Sequence, residues 1–475
     1  MNEQRLTEYG KLIQQLLECP EGEELDILQN HLHLIDEGLI TATQQYAQHL
    51  AETGKKNKAQ RLLNIAEKLT EWLNQSPNSV SEESYITLVQ QLIQAEYEVG
   101  TGKADESIVY HILDNNRHLL DENLARILPQ YASDLIAKLP AEYIDLIVKL
   151  IGNLSIDIKN FPRGDRKAQI EIAIAGYLFV LSHRQENREK WAITQNNLGN
   201  AYLYRIRGNR AQNQENAIAA YLLALEVYTK EDFPINWAMT QNNLGNAYSD
   251  RIRGDKAQNL ENAIAAYHLA LLVRTKEDFP IDWAMTQNNL GNAYLYRIRG
   301  NRAQNQESAI AAYLLALEVY TKEDFPMDWA MTQNNLGNAY LYRIRGNRAQ
   351  NQESAIAAYH LALEVYTKED FPKDWAMTQN NLAGAYSDRI RGDKAQNLEN
   401  AIAAYHLALE VYTKEDFPKD WAMTQNNLAG AYYDRIRGDK AQNLENAIAA
   451  YHLALEVYTK EDFPKDWAMT QNNLA

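Results

Sequence analysis

Side chains able to do chemistry recur in this chain at a fixed interval. The segment WAMTQNNLGNAY at residues 283–294 carries three asparagines, and near-copies of it start every 46 residues, from Trp191 to Trp467. A primary amide both donates and accepts hydrogen bonds, so a row of asparagines can hold the backbone of an extended peptide without reading its side chains. The chemistry that this pattern indicates is peptide recognition.

We predict that these asparagines line a concave surface when the helices that carry them stack. The alternative is that they hydrogen-bond to adjacent helices or simply face water, as polar faces of amphipathic helices do. The candidate peptide-binding residues are Asn196, Asn197, Asn200, Asn242, Asn243, Asn246, Asn288, Asn289, Asn292, Asn334, Asn335, Asn338, Asn380, Asn381, Asn426 and Asn427.

Catalytic patterns are missing from the sequence. It has no glycine-rich phosphate loop, no HExxH motif and no paired-carboxylate arrangement above background. Cys19 is the only cysteine, so an intrachain disulfide is excluded, and no nucleophile motif surrounds it. We therefore predict no enzyme activity, no catalytic residues, no metal site and no cofactor. Arg297 and Arg299 belong to a repeated Arg-Ile-Arg loop and are expected to pair with acidic residues of the next unit or to stay solvated.

Charge is distributed unevenly along the chain. The net charge is −16, and residues 1–150 hold 24 acidic and 12 basic residues, so most of the imbalance lies in this acidic head. Binding to a phosphate backbone needs a basic stripe, which argues against a nucleic acid partner. The N-terminus lacks a signal peptide's apolar core, and no window approaches the roughly 20 apolar residues that span a bilayer. The sequence predicts a cytoplasmic protein with no membrane partner.

Two helices and two loops account for each 46-residue unit. In the unit that starts at Trp283, the pattern predicts a first helix from Trp283 to about Ile298, ended by Gly300, and a second from Gln306 to about Lys322. Asp282 and Asn305 are the predicted N-caps. The predicted buried stripe of the second helix is Ala309, Ile310, Tyr313, Ala316, Leu317 and Tyr320.

The organisation before the array is less regular. Residues 1–75 are predicted to form an acidic helical segment and residues 76–156 a second helical segment, with the proline-containing stretch 74–81 as a linker. Residues 157–190 are predicted to be a degenerate first repeat, because Glu171, Ala173 and Tyr177 match Glu307, Ala309 and Tyr313. Residues 191–475 form the array, with an incomplete last unit.

The spacing Leu290-Gly291-x-x-Tyr294, then Ala309-x-x-x-Tyr313, then Pro326 resembles the tetratricopeptide signature. The usual unit of that family has 34 residues, 12 fewer than the 46 of this chain. The resemblance implies an all-α fold, an α-solenoid in which helical hairpins form a right-handed superhelix. It also implies that the first helices line a concave groove that binds a peptide or protein segment, which makes the chain a protein interaction scaffold.

The whole chain is also similar to cyanobacterial tetratricopeptide proteins that share an N-terminal segment like MNEQRLTEYGKLIQQLLECPEGEE. Some relatives carry a caspase-like CHAT domain after the repeats. This similarity implies an alternative function, the regulatory arm of a CHAT-type protease whose catalytic domain is absent from this chain. A third interpretation is self-association through the last repeat, which stops at Ala475 before a second helix covers it.

Overall fold

The structure is a computed structural model, and it describes residues 3–19, 24–29, 31, 34–35, 37–53, 55–75, 81–105, 107–184 and 187–475. Over these ranges the chain forms helices joined by turns, and it forms no β-strand. The predicted all-α fold of tandem helical hairpins is confirmed. The predicted linker, residues 74–81, lies mostly outside the described residues because residues 76–80 are not among them.

Backbone contacts divide the chain into two compact units, residues 1–91 and 92–475. In the first unit, Leu12, Leu16, Leu39 and Leu62 are buried in one apolar cluster. Leu12 and Leu16 are one helical turn apart, so the helix that carries them places one apolar face in that cluster. The helices are α1 (Glu3–Glu18), α2 (Glu24–Gln29), α3 (Glu37–Glu52), α4 (Lys56–Gln75) and α5 (Glu82–Gly100), which carries the border between the units.

The second unit begins with helices that lack the 46-residue period. They are α6 (Ser107–Asn115), α7 (Glu122–Lys138), α8 (Ile144–Asn160) and α9 (Arg166–His183), with short 3-10 helices at Arg117–Leu119 and Ala141–Tyr143. Helix α9 packs on α8, and its Glu171 pairs with Arg205 as the equivalent glutamates of later repeats do. This pairing agrees with a degenerate opening repeat, whose boundaries, like those of the other predicted segments, stay predictions.

The array consists of helical hairpins, in which the first helix of each repeat is called helix A and the second helix B. Each repeat is named here by the tryptophan of its helix A. The hairpins are α10 (Arg188–Leu203) with α11 (Arg210–Leu225), α12 (Pro234–Asp250) with α13 (Lys256–Ala270), α14 (Pro280–Leu295) with α15 (Arg302–Ala316), α16 (Pro326–Leu341) with α17 (Arg348–Leu363), α18 (Pro372–Ser387) with α19 (Lys394–Leu409), and α20 (Pro418–Asp434) with α21 (Lys440–Leu455), followed by α22 (Pro464–Leu474).

The helix boundaries differ from the predicted ones by several residues. Helix α15 starts after Asn301, whose side chain accepts a hydrogen bond from the backbone N–H of Gln304, so Asn301 and not Asn305 is the N-cap. Helix α14 starts at Pro280, with Phe279 in the N-cap position, so the predicted Asp282 cap is also wrong. Proline suits the first helical position because its missing N–H has no partner there in any case. Helix B ends at Ala316, before the predicted Lys322.

The apolar interior lies between helices of successive repeats. Ala309, Ile310 and Tyr313 of one helix B form a buried cluster with Leu336 and Ala339 of the next helix A. A second cluster joins Ala284, Ala316 and Tyr320, with Trp283 and Trp329 packed against it. Helix B therefore buries most of the predicted stripe against its neighbours. A single hairpin exposes this surface, so stacking of repeats creates the core.

Candidate functional site

The first asparagine of each pair is buried between repeats. Its exposed fraction is 2% at Asn196, 1% at Asn242, 2% at Asn288, 1% at Asn334, 6% at Asn380 and 7% at Asn426. A buried amide must be hydrogen-bonded, since an unsatisfied polar group loses its contacts with water without replacement. The structure thus places these six side chains inside the array and away from the surface, so a bound peptide cannot reach them.

A ladder of hydrogen bonds links these buried amides to the following repeat. The Oδ1 atom of Asn196 accepts from the Oγ1 of Thr240 and from the Nδ2 of Asn243, both at 3.2 Å. The same Asn–Asn bond recurs at the next four boundaries: Asn289 to Asn242 at 3.3 Å, Asn335 to Asn288 at 3.2 Å, Asn381 to Asn334 at 3.1 Å and Asn427 to Asn380 at 3.4 Å. The first asparagine accordingly sets the register between neighbouring repeats.

The third asparagine is held from within its own repeat. The hydroxyl of Tyr313 donates to the Oδ1 of Asn292 at 2.6 Å, and equivalent bonds join Tyr221 to Asn200, Tyr267 to Asn246 and Tyr359 to Asn338. Burial raises the pKa of Tyr313 well above its ordinary value, so the phenol stays a neutral donor. Gly291 makes room for this tyrosine, since a Cβ atom there would lie 2.6 Å from its Cε1.

In the Trp237, Trp283 and Trp329 repeats these bonds orient the two half-buried asparagines in opposite senses. The Nδ2 of Asn289 donates to the ladder and its Oδ1 remains open, whereas the Oδ1 of Asn292 accepts from Tyr313 and its Nδ2 remains open. No hydrogen bond of either remaining group occurs within the described residues. Each such repeat therefore offers one amide acceptor and one amide donor, three residues apart and on one face of helix A.

The Trp375 and Trp421 repeats lack this donor. Their sequence changes from Leu-Gly-Asn to Leu-Ala-Gly, so Ala383 and Gly384 stand where Gly337 and Asn338 stand one repeat earlier. With no third asparagine, the hydroxyl of Tyr405 lies over Gly384, at 3.7 Å from the position that a Cβ would take. Asn381 and Asn427 still donate to the ladder.

A concave pocket of about 780 Å³ collects several of the predicted residues. Asn246, Asn289 and Asn292 line it, together with Tyr204 and Tyr296, which directly follow α10 and α14. The pocket spans the Trp191, Trp237 and Trp283 repeats. The pocket thus contains one second asparagine, Asn289, and two third asparagines, Asn246 and Asn292, whereas none of the buried first asparagines lines it.

An arginine–glutamate ion pair joins successive repeats from Glu215–Arg251 to Glu399–Arg435, with a partner that the sequence analysis did not identify. The Nε and NH2 groups of Arg297 donate to the two carboxylate oxygens of Glu261 at 2.8 and 2.7 Å. The hydrogen bond from Arg297 lowers the pKa of Glu261. The partner belongs to the preceding repeat, so the expected pairing with the next unit is wrong. A constant Glu to Arg separation of 36 residues was the available signal.

Histidines make a further contact between repeats. The Nε2 of His268 lies 2.9 Å from the hydroxyl of Tyr294, and His360 with Tyr386 and His406 with Tyr432 repeat this contact at 2.9 Å. Burial, with a nearby arginine, lowers the pKa of His268. Among the described residues, no three His, Cys, Asp or Glu side chains are grouped to hold a metal ion, and no helix is long and apolar enough to cross a bilayer.

No family model matches the chain, and a search of curated proteins returns no significant match. The chain is similar to a solved Signal Transduction ATPase with Numerous Domains (STAND) protein with a tetratricopeptide repeat sensor from Pyrococcus horikoshii, at 13% identity and a TM-score of 0.46, covering 100% of this chain and 65% of that one. The chain thus spans less than two thirds of that protein. It is also similar to the APC/C hetero-tetramer Cut9–Hcn1, at 15% identity and a TM-score of 0.40, covering 94% of this chain and 81% of that one. A third similar structure is the P58(IPK) TPR domain, at 11% identity and a TM-score of 0.23, covering 92% of this chain and 98% of that one. The hairpins described above establish the fold, an all-α solenoid of tandem helical hairpins.

Proposed function

We propose that the array is a non-enzymatic scaffold that binds an extended peptide segment of a partner protein along its helices A. The observation that carries the proposal is the opposite orientation of the two half-buried amides in the Trp237, Trp283 and Trp329 repeats. Asn289 offers an Oδ1 acceptor and Asn292 an Nδ2 donor, and a peptide backbone presents the complementary N–H and C=O groups. Such contacts engage the backbone of a ligand whatever its side chains are.

The proposal places the binding in the first half of the array. Asn200, Asn246, Asn292 and Asn338 supply the donor in four successive repeats, whereas glycine replaces it at Gly384 and Gly430. The concave pocket also lies in this half. We expect the ligand to run over the Trp191 to Trp329 repeats and to make fewer backbone contacts beyond them.

The test changes the donors and keeps the packing. In Asn246→Asp/Asn292→Asp, a carboxylate oxygen still accepts from Tyr267 or Tyr313, but the Nδ2 donor is gone. The full chain is panned against a random dodecapeptide library, and the selected peptides are titrated against each variant. We expect the double variant to bind them about tenfold more weakly. Without these donors, a desolvated carbonyl of the peptide lacks a hydrogen bond, which costs about 1.4 kcal/mol or more of binding free energy.

The matched control is Asn216→Asp/Asn262→Asp. The side chains of these helix B asparagines accept hydrogen bonds from Gln212 and Gln258 and do not line the pocket. The control therefore adds the same two charges and retains the acceptor oxygen, but at sites outside the pocket. Equal weakening by both double variants, or a library that yields no binding peptide, would contradict the proposed function.

A further inference from the structure

The order of two repeat types creates one unusual position in the array. Helix A ends in Leu-Tyr in the Trp191, Trp283 and Trp329 repeats, but in Ser-Asp in the Trp237 and Trp375 repeats. Ser249-Asp250 has a Leu-Tyr repeat on both sides, since α12 packs between α10 and α14. Asp388 has a tyrosine, Tyr342, on one side and Asp434 on the other.

Ser249 and Asp250 leave open a space that a leucine and a tyrosine occupy in the adjacent repeats. The pocket of about 780 Å³ lies here, and Leu203, Tyr204, Ser249, Asp250 and Tyr296 are among its lining residues. Tyr204 and Tyr296 are 63% and 65% exposed, so their rings are available at the two sides of the pocket. This space, which we name the notch, lies where a leucine and a tyrosine stand in both adjacent repeats.

The polar groups of the notch restrict what it can take. The carboxylate of Asp250 makes no hydrogen bond or ion pair within the described residues. The backbone C=O of the same residue accepts a hydrogen bond from the Nε2 of Gln214 at 2.8 Å. Arg210 and Lys256 also line the notch, and the Nζ of Lys256 donates to the C=O of Ser249 at 2.5 Å. The lining thus carries two cations and one anion, so a charged side chain of either sign would be attracted to one group and repelled by another. A neutral ligand with a hydrogen-bond donor avoids either repulsion.

We propose that the notch binds a neutral aromatic side chain with a donor group, the indole or phenol of a tryptophan or tyrosine in the partner peptide. Its ring lies between Tyr204 and Tyr296, where aromatic pairs gain energy beyond the burial of their area. Its N–H or O–H donates to the carboxylate of Asp250, a charge-assisted bond. This inference rests on the proposed peptide binding and specifies the anchor residue that the groove selects.

The experiment uses the full chain and three probes, N-acetyl-tryptophanamide, N-acetyl-tyrosinamide and N-acetyl-leucinamide, titrated by ligand-observed NMR. We expect the two aromatic amides to bind and the leucine amide to bind at least about tenfold more weakly. Asp250→Tyr, which copies the flanking repeats, should abolish aromatic binding, and Asp250→Asn should weaken it. The matched control Asp388→Tyr makes the same change in the Trp375 repeat and should leave the affinity unchanged.

Three results would contradict the proposed aromatic binding at the notch: equal binding of the leucine amide, retention of aromatic binding by Asp250→Tyr, or an equal loss of aromatic binding in Asp388→Tyr. The library-selected peptides separate this failure from failure of the groove. Peptides that depend on Asn246 and Asn292 but not on Asp250 would leave the scaffold function standing without the notch. Aromatic amides that bind the notch while no peptide binds would leave the notch standing without the groove.

Discussion

The Oδ1 of Asn288 accepts a hydrogen bond from the Nδ2 of Asn335 at 3.2 Å, across the boundary between two successive repeats. Neighbouring asparagines in the sequence therefore have different roles. Asn288, which is 2% exposed, belongs to the interior, whereas Asn289 keeps an acceptor at the surface. An alanine scan that treats the pair as one site would mix loss of stability with loss of binding.

We first predict that Asn288→Ala destabilises the array by about 1–2 kcal/mol, because it removes the acceptor of Asn335 and leaves a buried gap. Hydrogen exchange should accelerate in α14 and α16, which report the local boundary better than a global transition in a repeat array. Asn216→Ala, on helix B, is the control, because serine replaces this residue at Ser308. Unchanged exchange in Asn288→Ala would show that the ladder contributes nothing.

The second prediction concerns the close contact at Gly291. A methyl group there would meet Tyr313 at 2.6 Å, so Gly291→Ala should cost about 1–3 kcal/mol through overpacking. The double variant Gly291→Ala/Asn292→Gly copies the Leu-Ala-Gly sequence of the Trp375 repeat and gives the tyrosine room to move. We expect it to recover stability in urea unfolding. A double variant less stable than Gly291→Ala would refute this coupling.

The third prediction is a pH dependence of stability. Hydrogen bonds from arginine lower the pKa values of Glu215, Glu261, Glu307, Glu353 and Glu399. Glutamate in an unfolded chain titrates near about pH 4.3, so this stabilisation is complete above that pH and is lost as the pH falls through the lower folded values. Urea midpoints should therefore drop below about pH 4.3.

Charge-neutral variants test the source of that drop. Glu261→Gln/Glu307→Gln/Glu353→Gln should lower the midpoint at pH 7 and flatten its acid dependence, because three of the titrating partners are gone. Glu323, Glu369 and Glu415 lie in exposed loops, and their replacement by Gln serves as the control. If stability falls equally steeply with decreasing pH in both triple variants, the loss of stability in acid is due to other carboxylates.

The fourth prediction addresses a single exchanged residue. Arg274 stands where other repeats have a tyrosine such as Tyr320, and its buried guanidinium bonds to Asp282 and to Thr286, both at 3.0 Å. Asp282→Asn should cost about 1.5–3 kcal/mol, because it leaves a buried cation without its counter-charge. Asp328→Asn, beside Tyr320, should cost much less.

The same position allows a double-mutant cycle. In an Arg274→Tyr background, Asp282→Asn should become nearly neutral, since a tyrosine needs no carboxylate there. Calorimetric or urea midpoints of the four proteins give the coupling energy. A coupling near zero would mean that the ion pair does not stabilise this boundary.

Several features of the array could be predicted from the sequence. The 46-residue period, the two helices per unit and the buried stripe of helix B follow from spacing, because apolar residues one helical turn apart must be buried together. Gly300, with φ of 82°, ends the A to B connection in a conformation that glycine adopts without strain, which also agrees with the predicted loop. The N-caps were missed, because Asn301 and Asn305 are equally good candidates by residue type.

The role of each asparagine was decided by the tertiary structure. Helical periodicity assigns Asn288 to a polar face of its own helix, but it does not say how much of that face the next repeat covers. The stacking buries Asn288 and leaves Asn289 and Asn292 half-exposed, since each helix A has another helix A on either side. The sequence by itself determined the repeating hairpin and the amide chemistry, whereas only the packing of one repeat on the next decided which amides stabilise the array and which stay open to a ligand.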